Sequence, residues 1–305
     1  MSIKLNRVYR SVRETAGFFV ACEDGKSPYS EARSWLRQLG CVAVKFGVLS
    51  LALLALVSPL VLPAQEKTLP FQPGETLNYD VTWSVFPAGI VSATLRSEGQ
   101  ESKDDYAVTT TARSQGFVSV LYNVQNEFRS LFNPRTMCSE KISKKIAEGR
   151  RHKETEIVFD SRRKLAILDE RDLNKPNEPA KHAENETPGC VEDVVTAFYY
   201  LRRQNLQVGK AIHLPVNDGW KTFEVTVDVQ ARERIQTPLG ERDAIRVEPK
   251  VFSGLFKRKG RMLIWFSDDP QRLPLRIKFI IAVGTITGNL RSVSQDTEKP
   301  SPEKG

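Results

Sequence analysis

Apolar side chains recur at every second position along most of residues 75–293, the period of strands with one buried face. Leu77, Tyr79, Val81 and Trp83 share one side of their segment, and Phe223, Val225, Val227 and Val229 alternate with Glu224, Thr226 and Asp228. The same period predicts strands at 90–95, 106–113, 124–132, 138–147, 154–159, 164–169, 212–216, 244–251, 262–266, 275–281 and 285–293. Asn217-Asp218-Gly219 and Thr237-Pro238-Leu239-Gly240 carry turn chemistry between strands, and Phe86-Pro87-Ala88-Gly89 breaks the first pair. The expected fold is all-β and mainly antiparallel, a strongly curved sheet or open barrel with one packed amphipathic helix.

That helix departs from period two. Val191, Val194, Val195, Phe198 and Leu201 recur at helical spacing, with Glu192 and Asp193 early and Arg202 and Arg203 late, as the helix dipole favours. A shorter helix is predicted at 117–122. Residues 171–189 are polar, contain Pro176, Pro179 and Pro188, and have little to bury, so an exposed polar loop is expected there. Residues 294–305 are charged and Pro-bearing, which predicts a disordered tail.

Before the strands lies an unbroken apolar run, residues 47–62, preceded by Lys45 and followed by Pro63-Ala64-Gln65. It reads as a secretory signal cleaved near Ala64, or as an inner-membrane anchor that stays in the bilayer, with Arg33, Arg37 and Lys45 on the inner side either way. Residues 1–44 are long for the start of a signal, and Val44 is a candidate for the true initiator. The expected organisation is a leader at 1–64, a single β-rich domain at 65–293 and the tail. The expected location is the periplasm or cell envelope, with membrane contact through the apolar run if it is uncleaved.

Charge changes this picture little. The chain has 45 basic and 37 acidic residues; 8 and 4 of them lie in 1–64, leaving 37 against 33 interleaved in the remainder, which disfavours a nucleic-acid surface. Of the four cysteines, Cys22 and Cys41 lie in the leader, so Cys138 and Cys190 are the pair expected to form a disulfide in an oxidising compartment.

Pro73-Gly74-Glu75-Thr76-Leu77-Asn78-Tyr79 with Trp83 and Ala88-Gly89 opens a series of short motifs. It continues with Asp193 and Tyr199-Tyr200-Leu201-Arg202, Val208-Gly209, Thr237-Pro238-Leu239-Gly240, Ile264-Trp265-Phe266-Ser267-Asp268-Asp269 and Leu273-Pro274. In that order and spacing, over about residues 70–292, the chain resembles the bacterial family called domain of unknown function 3108. The resemblance implies an exported β-rich envelope protein. It brings no activity and no catalytic residues.

No GxSxG, HExxH, Walker loop or GxGxxG occurs, so no catalytic residue, metal ligand or cofactor is assigned. His152, His182 and His213 read as surface residues, and Asp104-Asp105 and Asp268-Asp269 as turn caps. The constellation with most to offer is aromatic with one cation: Tyr79, Trp83, Tyr199, Tyr200, Arg202 and Trp265. These residues either fill a core or line a cavity for an apolar or amphipathic ligand. The reading taken is a non-enzymatic envelope protein that binds a lipid, lipoprotein or other apolar ligand in a curved-sheet cavity. A structural or assembly partner of envelope proteins is the alternative, with an enzyme of unknown class behind both.

Overall fold

The computed structural model describes residues 68–98, 105–250 and 260–296. The apolar run at 47–62 lies outside them. Fourteen strands form one antiparallel sheet, in the order β8-β7-β6-β5-β4-β3-β2-β1-β14-β13-β12-β11-β10-β9. β1 (Glu75–Trp83) and β14 (Gly284–Gln295) pair in the middle, so the chain winds outward from β1 to β8 and back inward from β9 to β14. Intervening strands follow as successive hairpins: β2 Phe86–Ser97, β3 Tyr106–Ser114, β4 Gln125–Phe132, β5 Ser139–Glu148, β6 Arg151–Asp160, β7 Leu165–Asp172 and β8 Lys181–Glu186. The return arm is β9 Ala211–Asn217, β10 Thr222–Thr237, β11 Gly240–Lys250, β12 Arg261–Ser267 and β13 Pro274–Ile281.

The alternation works as expected. Leu77 and Tyr79 are buried on β1, and Val225, Val227 and Val229 on β10, with the polar residues between them more exposed. Curvature comes from register shifts at Asn78/Tyr79, Val81/Thr82, Leu131/Phe132, Val229/Ala231 and Trp265/Phe266, because an extra residue on one strand bends and twists a pair. The Pro87 region is one of these bulges; the turn itself lies at Ser84-Val85.

The sheet is not closed. Its edges β8 and β9 share no ladder but meet through side chains, with Asn217 Nδ2 donating to Asn185 Oδ1 at 2.7 Å and Asn185 Nδ2 to the Gly219 carbonyl at 2.8 Å. Gly219, at φ +100°, lets the β9–β10 turn tuck inward, since a Cβ there would lie 2.4 Å from Leu168 Cδ1.

Among the described residues two helices accompany the sheet. α1 (Gly116–Leu121) matches the short helix expected at 117–122. α2 is shorter than the helical spacing suggested, running only over Thr196–Arg203. Asp193 stops it: one carboxylate oxygen accepts the Val195 and Thr196 N–H groups at 2.7 and 3.1 Å, and the other takes the hydroxyls of Ser130, Ser139 and Thr196. Val191 to Asp193 is therefore an extended strap, in which the Val191 carbonyl accepts from Ser139 N on β5 and Glu192 pairs with Pro215 and Asn217 on β9.

Two further expectations need correction. The stretch 171–189 is not all loop, because β8 pairs with the otherwise open edge of β7 and turns Ala183 and Asn185 inward. β14 also extends through Ser294 and Gln295, which pair with Thr76 and Glu75, so the sheet reaches past the expected start of the tail.

Candidate functional site

The inner face of six adjacent strands, β13-β14-β1-β2-β3-β4, surrounds a cavity of about 350 Å³. Its wall is built from alternate positions: Leu77, Tyr79 and Val81 on β1, Val91 and Ala93 on β2, Thr110 and Ala112 on β3, Phe128 on β4, Ile277 and Phe279 on β13, and Ile286 and Gly288 on β14. The space exists because several of these are small. Gly288 is the extreme case: a Cβ there would meet nothing nearer than Tyr79 Cδ1 at 3.9 Å and the Ile277 carbonyl at 4.0 Å.

Helix α2 and the residues before it form the floor, presenting Val194, Val195, Phe198, Tyr199 and Arg202 at helical spacing. Leu201 and Ala197 face the other way, into the core of β9 to β12. The helix is clamped at both ends. Asp193 holds its start to Ser130 and Ser139, and at its end Arg202 forms a two-point ion pair with Glu75 at 2.6 and 2.8 Å, adding the carbonyls of Pro70 and Gln271. Phe71 and Tyr199 lie against the guanidinium at 5.2 and 5.3 Å. Burial works against this charge, but the hydrogen bonds and field of Glu75 outweigh it and hold Arg202 above its ordinary pKa.

Polar atoms are few in the cavity. Tyr79 donates its hydroxyl to the Pro274 carbonyl at 2.9 Å. The buried Tyr199 hydroxyl has no hydrogen-bond partner among the described residues. Burial, reinforced for Tyr79 by the neighbouring Tyr199, pushes both phenols well above their ordinary pKa, so each is a neutral donor. Lys144, the cross-strand neighbour of Phe128, donates to the Asp218 carbonyl at 3.3 Å, and burial lowers its pKa.

Three of the six residues singled out in the sequence therefore meet at the cavity: Tyr79, Tyr199 and Arg202. Tyr200 packs against the neighbouring core clusters. Trp83 is at the end of β1, its Nε1 donating to the Val283 carbonyl at 3.1 Å. Trp265 alternates with the inward Ile264 and Phe266 and so faces the outer side of the sheet, where it bonds Glu233 and lies under Arg276. The sequence reading missed Phe198, Phe128 and Phe279, whose period-two or helical positions marked them only as apolar, and the small residues that leave the space.

Elsewhere the turn-cap reading of the acidic pair is met at Asp269, whose Oδ1 accepts from Gln271 N, Arg272 N and Ser267 Oγ. His182 is exposed and bonded to Asp169 at 2.9 Å, an interaction that raises its pKa. Cys138 and Cys190 are joined in a disulfide. Among the described residues no three His, Cys, Asp or Glu side chains are grouped to hold a metal ion, and no helix is long and apolar enough to cross a membrane.

A curved, unclosed antiparallel sheet around an apolar space defines a β-barrel-like protein. The sequence profile described as "Protein of unknown function (DUF3108)" matches residues 78–291, and the chain belongs to that family. No curated protein matches the sequence. Among solved structures, a β-barrel-like protein of domain of unknown function DUF1849 from Brucella abortus is similar at TM-score 0.51, with 8% identity over 73% of this chain and 98% of its own. That likeness concerns the fold alone. A protein described as exported, with a YmcC-like fold, from Bacteroides fragilis matches at TM-score 0.33, 9% identity and 74% and 98% coverage of the two chains. One described as a lipoprotein from Parabacteroides distasonis matches at TM-score 0.30, 10% identity and 75% and 100% coverage.

Proposed function

We propose that this protein is an exported, non-enzymatic component of the cell envelope that holds an amphipathic lipid, by one or more acyl chains, in the cavity over α2. The observation that carries the reading is the cavity itself: an apolar wall, with Tyr199 among the lining residues of its floor and the buried hydroxyl of that residue without a hydrogen-bond partner among the described residues. Binding sites for small apolar ligands combine such walls with a few placed polar groups and occupy roughly 300–1,000 Å³. Tyr199 suits a hydrogen-bond acceptor such as an ester or carboxyl oxygen, since a neutral buried phenol gains most from an acceptor that brings no water. Arg202 supports the floor, its charge already taken by Glu75. The apolar run at 47–62, read as an export signal or anchor, supports the envelope location.

The alternative, an assembly partner joined by strand addition, is less well supported. The free edge strand β8 presents exposed Lys181, His182, Glu184 and Glu186, and charge on an edge discourages pairing with another chain.

Gly288→Leu tests the cavity reading. The added side chain enters open space on an inner strand position, so the variant should keep or gain stability while binding a dansyl-labelled fatty acid about tenfold more weakly or worse. Unchanged probe affinity in a well-folded Gly288→Leu protein, or no binding by the parent, would reject the cavity as a lipid site.

A further inference from the structure

The hairpin directions place several connections at one end of the sheet: the β1–β2 turn, α1 between β3 and β4, the β5–β6 turn and the β13–β14 turn. This is the mouth end. Cavity residues Val81, Ala112, Phe279 and Ile286 lie within a few positions of these connections, whereas α2 is tied to Glu75, Ser130 and Ser139 at the opposite end. Around the mouth, separate connections each present large apolar side chains to solvent: Val85 (82% exposed) and Phe86, then Phe117, Val120 (82%) and Leu121, then Val283 (71%). The connections touch one another, with Ser84 N bonded to Thr285 O, Trp83 Nε1 to Val283 O and Gln115 N to Ala88 O. They form a collar, and an exposed apolar area of this kind marks an interaction surface.

The charges behind the collar indicate the partner. Of the acids on the adjoining strand ends, Asp80 pairs with Arg291 at 3.1 Å, Glu127 with Lys145 at 3.9 Å and Glu148 with Arg151 at 4.0 Å, which leaves Glu154 on β6 as one acid without an ion pair among the described residues, against three such cations. Arg113, two residues before the connection that holds α1, Arg150 in the β5–β6 turn and Lys278 near the end of β13 make no ion pair among the described residues. An apolar ring backed by uncompensated cations complements a plane of anionic headgroups over acyl chains.

We infer that the collar docks on the surface of an anionic lipid bilayer, with the cavity mouth turned toward the acyl chains. This rests on the lipid-holding reading of the cavity. A lipid leaving the bilayer would then pass from one apolar medium to another, its chains crossing little water.

Hydrogen exchange of the full chain, with and without vesicles, reads the collar locally whatever the apolar run at 47–62 does. On mixed phosphatidylethanolamine–phosphatidylglycerol vesicles, amides at 84–86, 116–122 and 282–284 should exchange about tenfold more slowly, and much less so on pure phosphatidylcholine. Val85→Ser with Val120→Ser and Val283→Ser should abolish that protection; these side chains are largely exposed, so the fold should stand. Arg113→Gln, Arg150→Gln and Lys278→Gln should each weaken collar binding about fivefold on the anionic vesicles. No collar protection on anionic vesicles overturns docking, as does protection of the same amides by raised protein concentration alone, which would assign the collar to a second copy. Loss of docking with fatty-acid binding intact removes this inference only. Docking without fatty-acid binding removes the cavity reading only.

Discussion

Arg202, in the last turn of α2, has its side chain 1% exposed, where a guanidinium is tolerable only because Glu75 and two backbone carbonyls meet its donors. Arg202→Met should therefore cost about 3–5 kcal/mol in urea unfolding, since it strands a buried carboxylate, and Glu75→Gln in the same chain should restore a large part of it. If the double variant is as unstable as the single one, the pair is not what holds the floor. Trp265→Ala should cost roughly 3–5 kcal/mol through the cavity it leaves, while fatty-acid affinity per folded molecule stays unchanged, because its cross-strand partners are Arg246 and Arg276, on the face opposite the cavity residue Ile277. Weaker binding in that variant would contradict the placement. At this scale the sequence pointed to Tyr79, Tyr199 and Arg202 but could not separate Trp265 from them. Ile264, Trp265 and Phe266 are all buried, so β12 is covered on both faces and alternation does not say which is inner. Ala93, Ala112 and Gly288 were invisible for another reason: an empty volume is made by side chains that are absent.

Among the elements, the strap at Val191 to Asp193 does more than its length suggests. It crosses from β5 to β9, delivers α2 to the floor and buries Glu192, whose Oε2 has no hydrogen-bond partner among the described residues. Burial, with the fields of Asp193 and Glu224 adding to it, pushes this carboxyl up to about 7. An unfolded Glu titrates near 4.3, so between about 4.5 and 7 the native chain keeps a proton that the unfolded chain releases. Stability then falls as pH rises through that window and is flat above it, by an amount on the order of 3 kcal/mol. Glu192→Gln should match the parent at pH near 4.5 and exceed it at pH near 8; parallel stability curves would show that Glu192 is not the group responsible. Helical spacing was legible from Val191 onward, yet the helix begins only at Thr196 because Asp193 accepts the N–H groups that a longer helix would bond internally. β8 escaped notice because its only inward residues, Ala183 and Asn185, carry no periodic apolar signal.

For the molecule as a whole, the question is what keeps an unclosed sheet curved around a partly empty interior. Among the described residues its edges share no ladder and meet through hydrogen bonds of Asn185 with Asn217 and with the Gly219 carbonyl, so closure depends on the strap and on what fixes the strap. Cys138, just before β5, is bonded to Cys190, just before the strap, at a sequence separation of 52 and with 5.0 Å between their Cα atoms. The cysteine count made this pair legible, whereas its task was not, since the strap's path is set by pairing with strands far apart in sequence. Constraining an unfolded loop of that length stabilises by about 4 kcal/mol on the chain-entropy model. Cys138→Ser and Cys190→Ser should thus lower the Tm under oxidising conditions by similar amounts, and dithiothreitol should lower the parent to their level. The bridge also anchors the floor, so partial reduction below the Tm should release the dansyl-labelled fatty acid before the far-ultraviolet circular dichroism of the sheet changes. Release that merely coincides with loss of the strand signal would show that the disulfide serves global stability alone and that the floor holds without it.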